Sequence, residues 1–154
     1  MTHSHGPVVP SIVSGPRRSL LSIAVLGACG TGIASYLTAT TVSGAGAACF
    51  GLSDCNVVSA SPYAHLAGVP VALVGVLTFS FISAAAIAAR VWPERLRASP
   101  LLVMLAASVA GSTYSVYLTI VSGAVLGAYC PWCLLSAGIM VLLAILSFRT
   151  ARVN

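Results

Sequence analysis

Four apolar runs, Leu20–Val42, Val69–Ala89, Leu101–Val121 and Tyr129–Phe148, contain no Asp, Glu, Lys, Arg or His. A helix needs roughly 20 mostly apolar residues to cross a hydrocarbon core of about 30 Å, and each run meets that length. Together they occupy more than half of the 154 residues. The chain is 58% hydrophobic and 6% charged, whereas soluble domains carry about 25% charged residues. A water-facing surface cannot be made from this composition. The expected fold class is an all-α integral membrane protein, a four-transmembrane-helix bundle. It forms one domain over residues 19–149, with a disordered tail at 1–18 and a short tail at 150–154. Met1–Gly15, with His3, His5, Pro7 and Pro10, has no apolar period that would order it.

The net charge of +5 would fit nucleic acid if it were spread over a surface. Its placement excludes that reading, because there is no lysine and the seven arginines fall in three clusters. Arg17 and Arg18 precede the first run, Arg90, Arg95 and Arg97 separate the second from the third, and Arg149 and Arg152 follow the fourth. With four crossings all three clusters lie on one side, and the other two loops have no Lys or Arg. Basic residues in short loops stay cytoplasmic. The expectation is therefore a multi-pass protein of the cell (inner) membrane, with both termini cytoplasmic and loops 43–68 and 122–128 outside.

Small residues in the first run, Gly27, Ala28, Gly30, Gly32 and Ala34, allow close helix approach in lipid and place this helix inside the bundle. Pro93 and Pro100 are expected to break the helices around the arginine-rich turn, with Trp92 at the headgroup level. Only a few residues join the last two runs, which predicts an antiparallel hairpin. Leu26-Gly27-Ala28-Cys29 resembles a lipoprotein signal, but the apolar stretch far exceeds a cleavable core of about 7–15 residues. Cys29 then reads as a small buried thiol.

Four of the five cysteines are more informative. Cys49 and Cys55 lie in the first outside loop, and Cys130-Pro-Trp-Cys133 stands at the outer end of the fourth run. The arginines thus put all four thiols where disulfides persist. At a helix start, unpaired N–H groups and the helix dipole stabilise a thiolate. Pro131 suits the first turn, and cysteines three apart share a face. The loop pair, flanked by Gly44, Gly46 and Gly51, faces water, while the other pair sits at the edge of the lipid. A relay is the reading this supports. Two structural disulfides would also explain the cysteines, although a Cys-x-x-Cys at a helix start is usually labile. Four thiolates could hold zinc, but a second Cys-x-x-Cys is missing and an oxidising exterior opposes free thiolates; no metal is expected. Leu134 stands where haem attachment needs histidine.

In these residues the chain resembles the vitamin K epoxide reductase family in its bacterial form. The resemblance rests on Cys49/Cys55, on Val58-Ser-Ala-Ser-Pro-Tyr63 and Gly68-Val-Pro-Val71, and on Cys130-Pro-Trp-Cys133 opening the fourth helix. The order of the pairs is specific, because the other quinone-linked disulfide oxidases carry Cys-x-x-Cys in their first outside loop. The resemblance implies that Cys133 reacts with a quinone (ubiquinone, menaquinone or a vitamin K type) and that Cys130 is its partner. Cys55 would attack the Cys130 side, and Cys49 would exchange with an external thioredoxin-fold protein. Ser61 would hydrogen-bond a quinone carbonyl or cap the turn at Pro62. Tyr114 and Tyr117 would line the pocket or serve as belt residues. An outer loop with a short helix would cap the pocket. His65 and Asp54 are the other ionisable groups of that loop, with an ordinary solvated role expected.

Two departures matter. Many bacterial relatives carry a fused thioredoxin-like domain, whereas this sequence ends at Asn154, so a separate thioredoxin-fold (DsbA-like) donor is expected. Ala137 stands one turn after Cys133, where vertebrate relatives carry a tyrosine, which counts against epoxide reduction. The expected function is a thiol:quinone oxidoreductase supporting disulfide formation in exported proteins. The alternative is a non-catalytic transporter or assembly protein with structural disulfides. Transport normally places ionisable residues within the spans, and these have none.

Overall fold

A computed structural model describes residues 16–48, 58, 61–66, 68–93 and 98–153. Cys49, Asp54, Cys55, Arg95, Arg97 and the tail Met1–Gly15 lie outside the described residues. Four long helices account for most of the rest: α1 (Pro16–Ser43), α2 (Val71–Val91), α3 (Ala98–Val121) and α4 (Pro131–Val153). All four are long and apolar enough to cross a membrane.

The helix ends differ from the sequence expectation in instructive ways. Val69 and Pro70 are not helical; they form a short strand, β2 (Val69–Pro70), paired antiparallel with β1 (His65–Leu66). Gly68, at φ 84°, makes the reversal between them, a backbone angle that favours glycine. Pro100 does not break a helix. It is the third residue of α3, in the first turn, where its missing N–H has no helical partner to lose. At the other end, α3 passes into a π-helical turn, Ser122–Leu126, which stops at Gly127 with φ 61°. α4 runs to Val153, past Arg149 and Arg152, and Arg152 stacks over the Phe148 ring at 4.3 Å.

The helices form a closed ring in which α1 packs on α2 and α4, and α3 packs on α2 and α4. α1 and α2 make the closest pairing, and the small residues explain it. Phe79 of α2 lies where a side chain on Gly30 would stand, and Ser83 fills the space at Gly27. The Ser83 hydroxyl donates to the Ala24 carbonyl over 2.6 Å. Ala28 and Gly32, by contrast, face outward, and Cys29 is exposed rather than buried. A lipid-facing thiol on an apolar helix is no less apolar than a buried one, so hydropathy could not separate the two.

The ring is unevenly filled. At the arginine end Leu20, Ile23, Ile82, Ala86, Ala89, Leu101, Met104 and Leu143 are almost fully buried and come from all four helices. Ser19 and Thr150 join α1 to α4 there at 2.6 Å. At the opposite end the ring is hollow.

Candidate functional site

The hollow end holds a cavity of about 780 Å³, within the roughly 300–1,000 Å³ usual for small-molecule sites. Its walls come from the halves of all four helices that lie away from the arginines and from the segment around Ser61. Phe79 and Met140 form its floor. Each rests on a glycine of the neighbouring helix, Gly30 for Phe79 and Gly111 for Met140. The Ser112 hydroxyl donates to the Met140 carbonyl over 3.0 Å and ties α3 to α4 at that level. Among the described residues no Asp, Glu, His, Lys or Arg lines the cavity; their ionisable groups at its wall are Cys130, Cys133, Tyr63, Tyr114 and Tyr129. Such a lining accepts an uncharged apolar molecule.

Cys130 and Cys133 stand in the wall, held by the start of α4. Helix α4 begins at Pro131, and the Cys130 carbonyl accepts the Leu134 N–H over 3.0 Å, so Cys130 occupies the cap position. Its sulfur accepts the Cys133 N–H over 3.3 Å, as a serine cap oxygen would. Cys130 is buried, 2% exposed, whereas Cys133 is exposed at the wall. The Cys130 thiol is held below the ordinary thiol range. Hydrogen bonding from the Cys133 side chain is the largest cause, helped by the backbone N–H groups of Cys133 and Trp132 and opposed by burial. Favouring the thiolate makes Cys130 the better nucleophile and leaving group of the pair.

Ser61 also lines the cavity and is 6% exposed. Its hydroxyl donates to the Val58 carbonyl over 2.8 Å. It makes no side-chain cap of the turn Pro62–Ala64; the Ser61 carbonyl closes that turn instead, accepting the Ala64 N–H over 3.0 Å. With its proton engaged, the hydroxyl is left to act as an acceptor.

The two tyrosines of α3 separate. Tyr114 lines the cavity, but Tyr117 does not; it is 52% exposed and touches Tyr114 ring to ring at 6.2 Å. Three residues turn a helix by about 300°, so Tyr117 sits some 60° off the Tyr114 direction, just beyond the edge of the cavity. Tyr117 faces the surroundings of the bundle, as a belt residue would.

Sequence reasoning passed over three aromatic residues here. Tyr129, next to Cys130, lines the cavity and lays its hydroxyl end over Gly123 of the π turn. Its position beside the Cys-x-x-Cys was the available signal. Trp132, between the two thiols, donates its indole N–H to the Ala48 carbonyl over 2.9 Å. Tyr36 of α1 accepts the Ala48 N–H over 3.1 Å, and its ring meets that of Trp132 at 5.5 Å. No local pattern announces contacts between segments so far apart in the chain.

Fold and site together define a four-helix membrane protein with a thiol pair in the wall of an apolar cavity. The model of the Vitamin K epoxide reductase family matches residues 21–148, most of the chain. The protein belongs to that family and is a multi-pass membrane oxidoreductase of the quinone-related kind.

Proposed function

We propose that the protein is a thiol:quinone oxidoreductase that takes electrons from a separate, extracytoplasmic thioredoxin-fold (DsbA-like) protein and supports disulfide formation in exported proteins. The observation that carries this reading is the placement of Cys130 and Cys133 together in the wall of an uncharged cavity of about 780 Å³. A quinone supplies a two-electron, two-proton acceptor of the size and polarity that such a cavity takes. The arginine clusters favour the inner membrane, with both termini cytoplasmic and the cysteines outside.

The proposed sequence uses both pairs. Donor thiols reduce the loop disulfide by exchange at Cys49. Cys55 thiolate then attacks the Cys130 sulfur of the Cys130–Cys133 disulfide; one S–S bond forms, the other breaks, and Cys133 leaves as a thiolate. Cys49 attacks Cys55 in turn and releases Cys130, whose low proton affinity favours departure. Two electrons now reside on Cys130 and Cys133. Cys133, the exposed member, delivers them to the quinone, and Cys130 closes the disulfide as two protons pass to the hydroquinone. Ser61 and Tyr114 orient the head group, and the segment around Ser61 covers it.

The test is quinone reduction by purified protein in detergent, with a reduced thioredoxin-fold protein as donor and ubiquinone or menaquinone as acceptor. Cys133→Ala should abolish turnover. A variant that keeps the wild-type rate removes the mechanism.

A further inference from the structure

Ala48 lies in no helix or strand, yet both of its backbone polar groups are held by aromatic side chains from two different helices. The Tyr36 hydroxyl takes its N–H over 3.1 Å, and the Trp132 indole N–H reaches its carbonyl over 2.9 Å. The two rings brace each other at 5.5 Å with an interplanar angle of 57°. A tryptophan that serves only as an interface anchor turns its N–H to headgroups and water. Trp132 uses its N–H on a peptide of its own chain.

What it holds is significant because of what is bonded to each end. Ala48 is followed directly in the chain by Cys49. Trp132 is followed directly by Cys133 and stands two residues after Cys130. We infer that Trp132 is a positioning residue: it pins the chain leading into the loop pair against the first turn of α4 and so raises the rate of exchange between the two cysteine pairs. This rests on the relay proposed above and assigns it a further residue. Exchange within one chain depends on the effective concentration of one thiol at the other. A hydrogen-bonded peptide one residue from Cys49 raises that concentration without touching a sulfur.

The experiment keeps only Cys55 and Cys130, the pair that exchanges between loop and helix in the proposed relay, in a protein carrying Cys29→Ala, Cys49→Ala and Cys133→Ala. Diamide serves as oxidant; it takes two electrons and two protons as the two thiols join in one S–S bond. The time course of the Cys55–Cys130 bridge is followed by mass spectrometry of unreduced peptides. Trp132→Phe, which keeps a ring against Tyr36 but removes the N–H, should slow bridging by roughly threefold to tenfold, the span expected for one hydrogen bond. Alkylation of Cys130 in the same two proteins should proceed at equal rates.

An unchanged bridging rate overturns the proposal, as does a parent protein that forms no bridge. A parallel fall in bridging and alkylation also overturns it, because the substitution would then have altered Cys130 itself. If Trp132→Phe does not fold, Tyr36→Phe, which removes the acceptor of the Ala48 N–H, decides by the same criteria. No quinone enters this assay. Loss of quinone reduction with a Trp132-dependent bridge would remove the proposed activity and leave the clamp standing; the reverse outcome would do the opposite.

Discussion

The backbone N–H of Cys133 donates to the sulfur of Cys130 over 3.3 Å, so the two thiols are linked through the first turn of the helix that carries them. The Cys133 side chain is also the largest cause of the lowered proton affinity of Cys130. Cys133→Ala should therefore move the Cys130 titration up toward that of an ordinary thiol, leaving only the backbone contribution. Ultraviolet thiolate absorbance against pH reads it directly. In the reduced protein the Cys130 thiolate should form at lower pH than in the variant. A midpoint unmoved by the substitution would assign the effect to the helix end alone.

Gly30 and Phe79 should be coupled. A Cβ on Gly30 falls within the space of the Phe79 ring, and overpacking of this kind costs about 1–3 kcal/mol. Gly30→Ala should lower the thermal midpoint in detergent, and Phe79→Leu in the same chain should recover part of the loss. Additive losses would show that the two positions do not share the space.

Ser61 should act as an acceptor. Its proton goes to Val58 over 2.8 Å, so Ser61→Ala should weaken hydroquinone binding more than quinone binding, by about fivefold for one hydrogen bond. Ser61→Thr should retain most of the affinity. Equilibrium titration with both redox forms separates the two; an equal loss for each would count against the assignment.

On α3, Tyr114→Phe should raise the KM for quinone several-fold, whereas Tyr117→Phe should leave it unchanged. Tyr114 lines the cavity and Tyr117 does not. Steady-state kinetics at saturating donor would show the split, and equal effects would place both rings at the site.

Orientation can be read by labelling. In a cysteine-free background, a thiol introduced at Gly127 should react with a membrane-impermeant maleimide from outside intact cells. One at Arg152 should react only after the membrane is opened. The reverse pattern would invert the proposed topology.

The spans were legible because lipid imposes one overwhelming requirement, uncharged length, and four runs meet it. The helix ends were less so, for apolar character does not distinguish Val69 in a strand from Val71 in a helix. The same blindness hid the cavity. Residues that line a hollow and residues that face acyl chains are equally apolar, so Tyr114 and Tyr117 looked alike until the turn of the helix placed them on different faces. The Cys130–Cys133 site was clear from spacing, Pro131 and its position at a helix start. The contact of Trp132 with Ala48 was not, since it joins residues 84 apart in the chain. The other thiols of the proposed relay, Cys49 and Cys55, were named from the sequence and lie outside the described residues.

The floor laid by Phe79 and Met140 has an electrical consequence. Beneath it the four helices close on Leu20, Ile23, Ile82, Met104 and Leu143, and among the described residues no Asp, Glu, His or Lys is packed into that layer. A proton would find no ionisable side chain there to carry it. The proposed redox turnover at the Cys130–Cys133 pair should then draw and return its protons on the side that bears the cysteines. Such a cycle would displace no charge through the bilayer, and the membrane voltage would neither drive it nor hold it back.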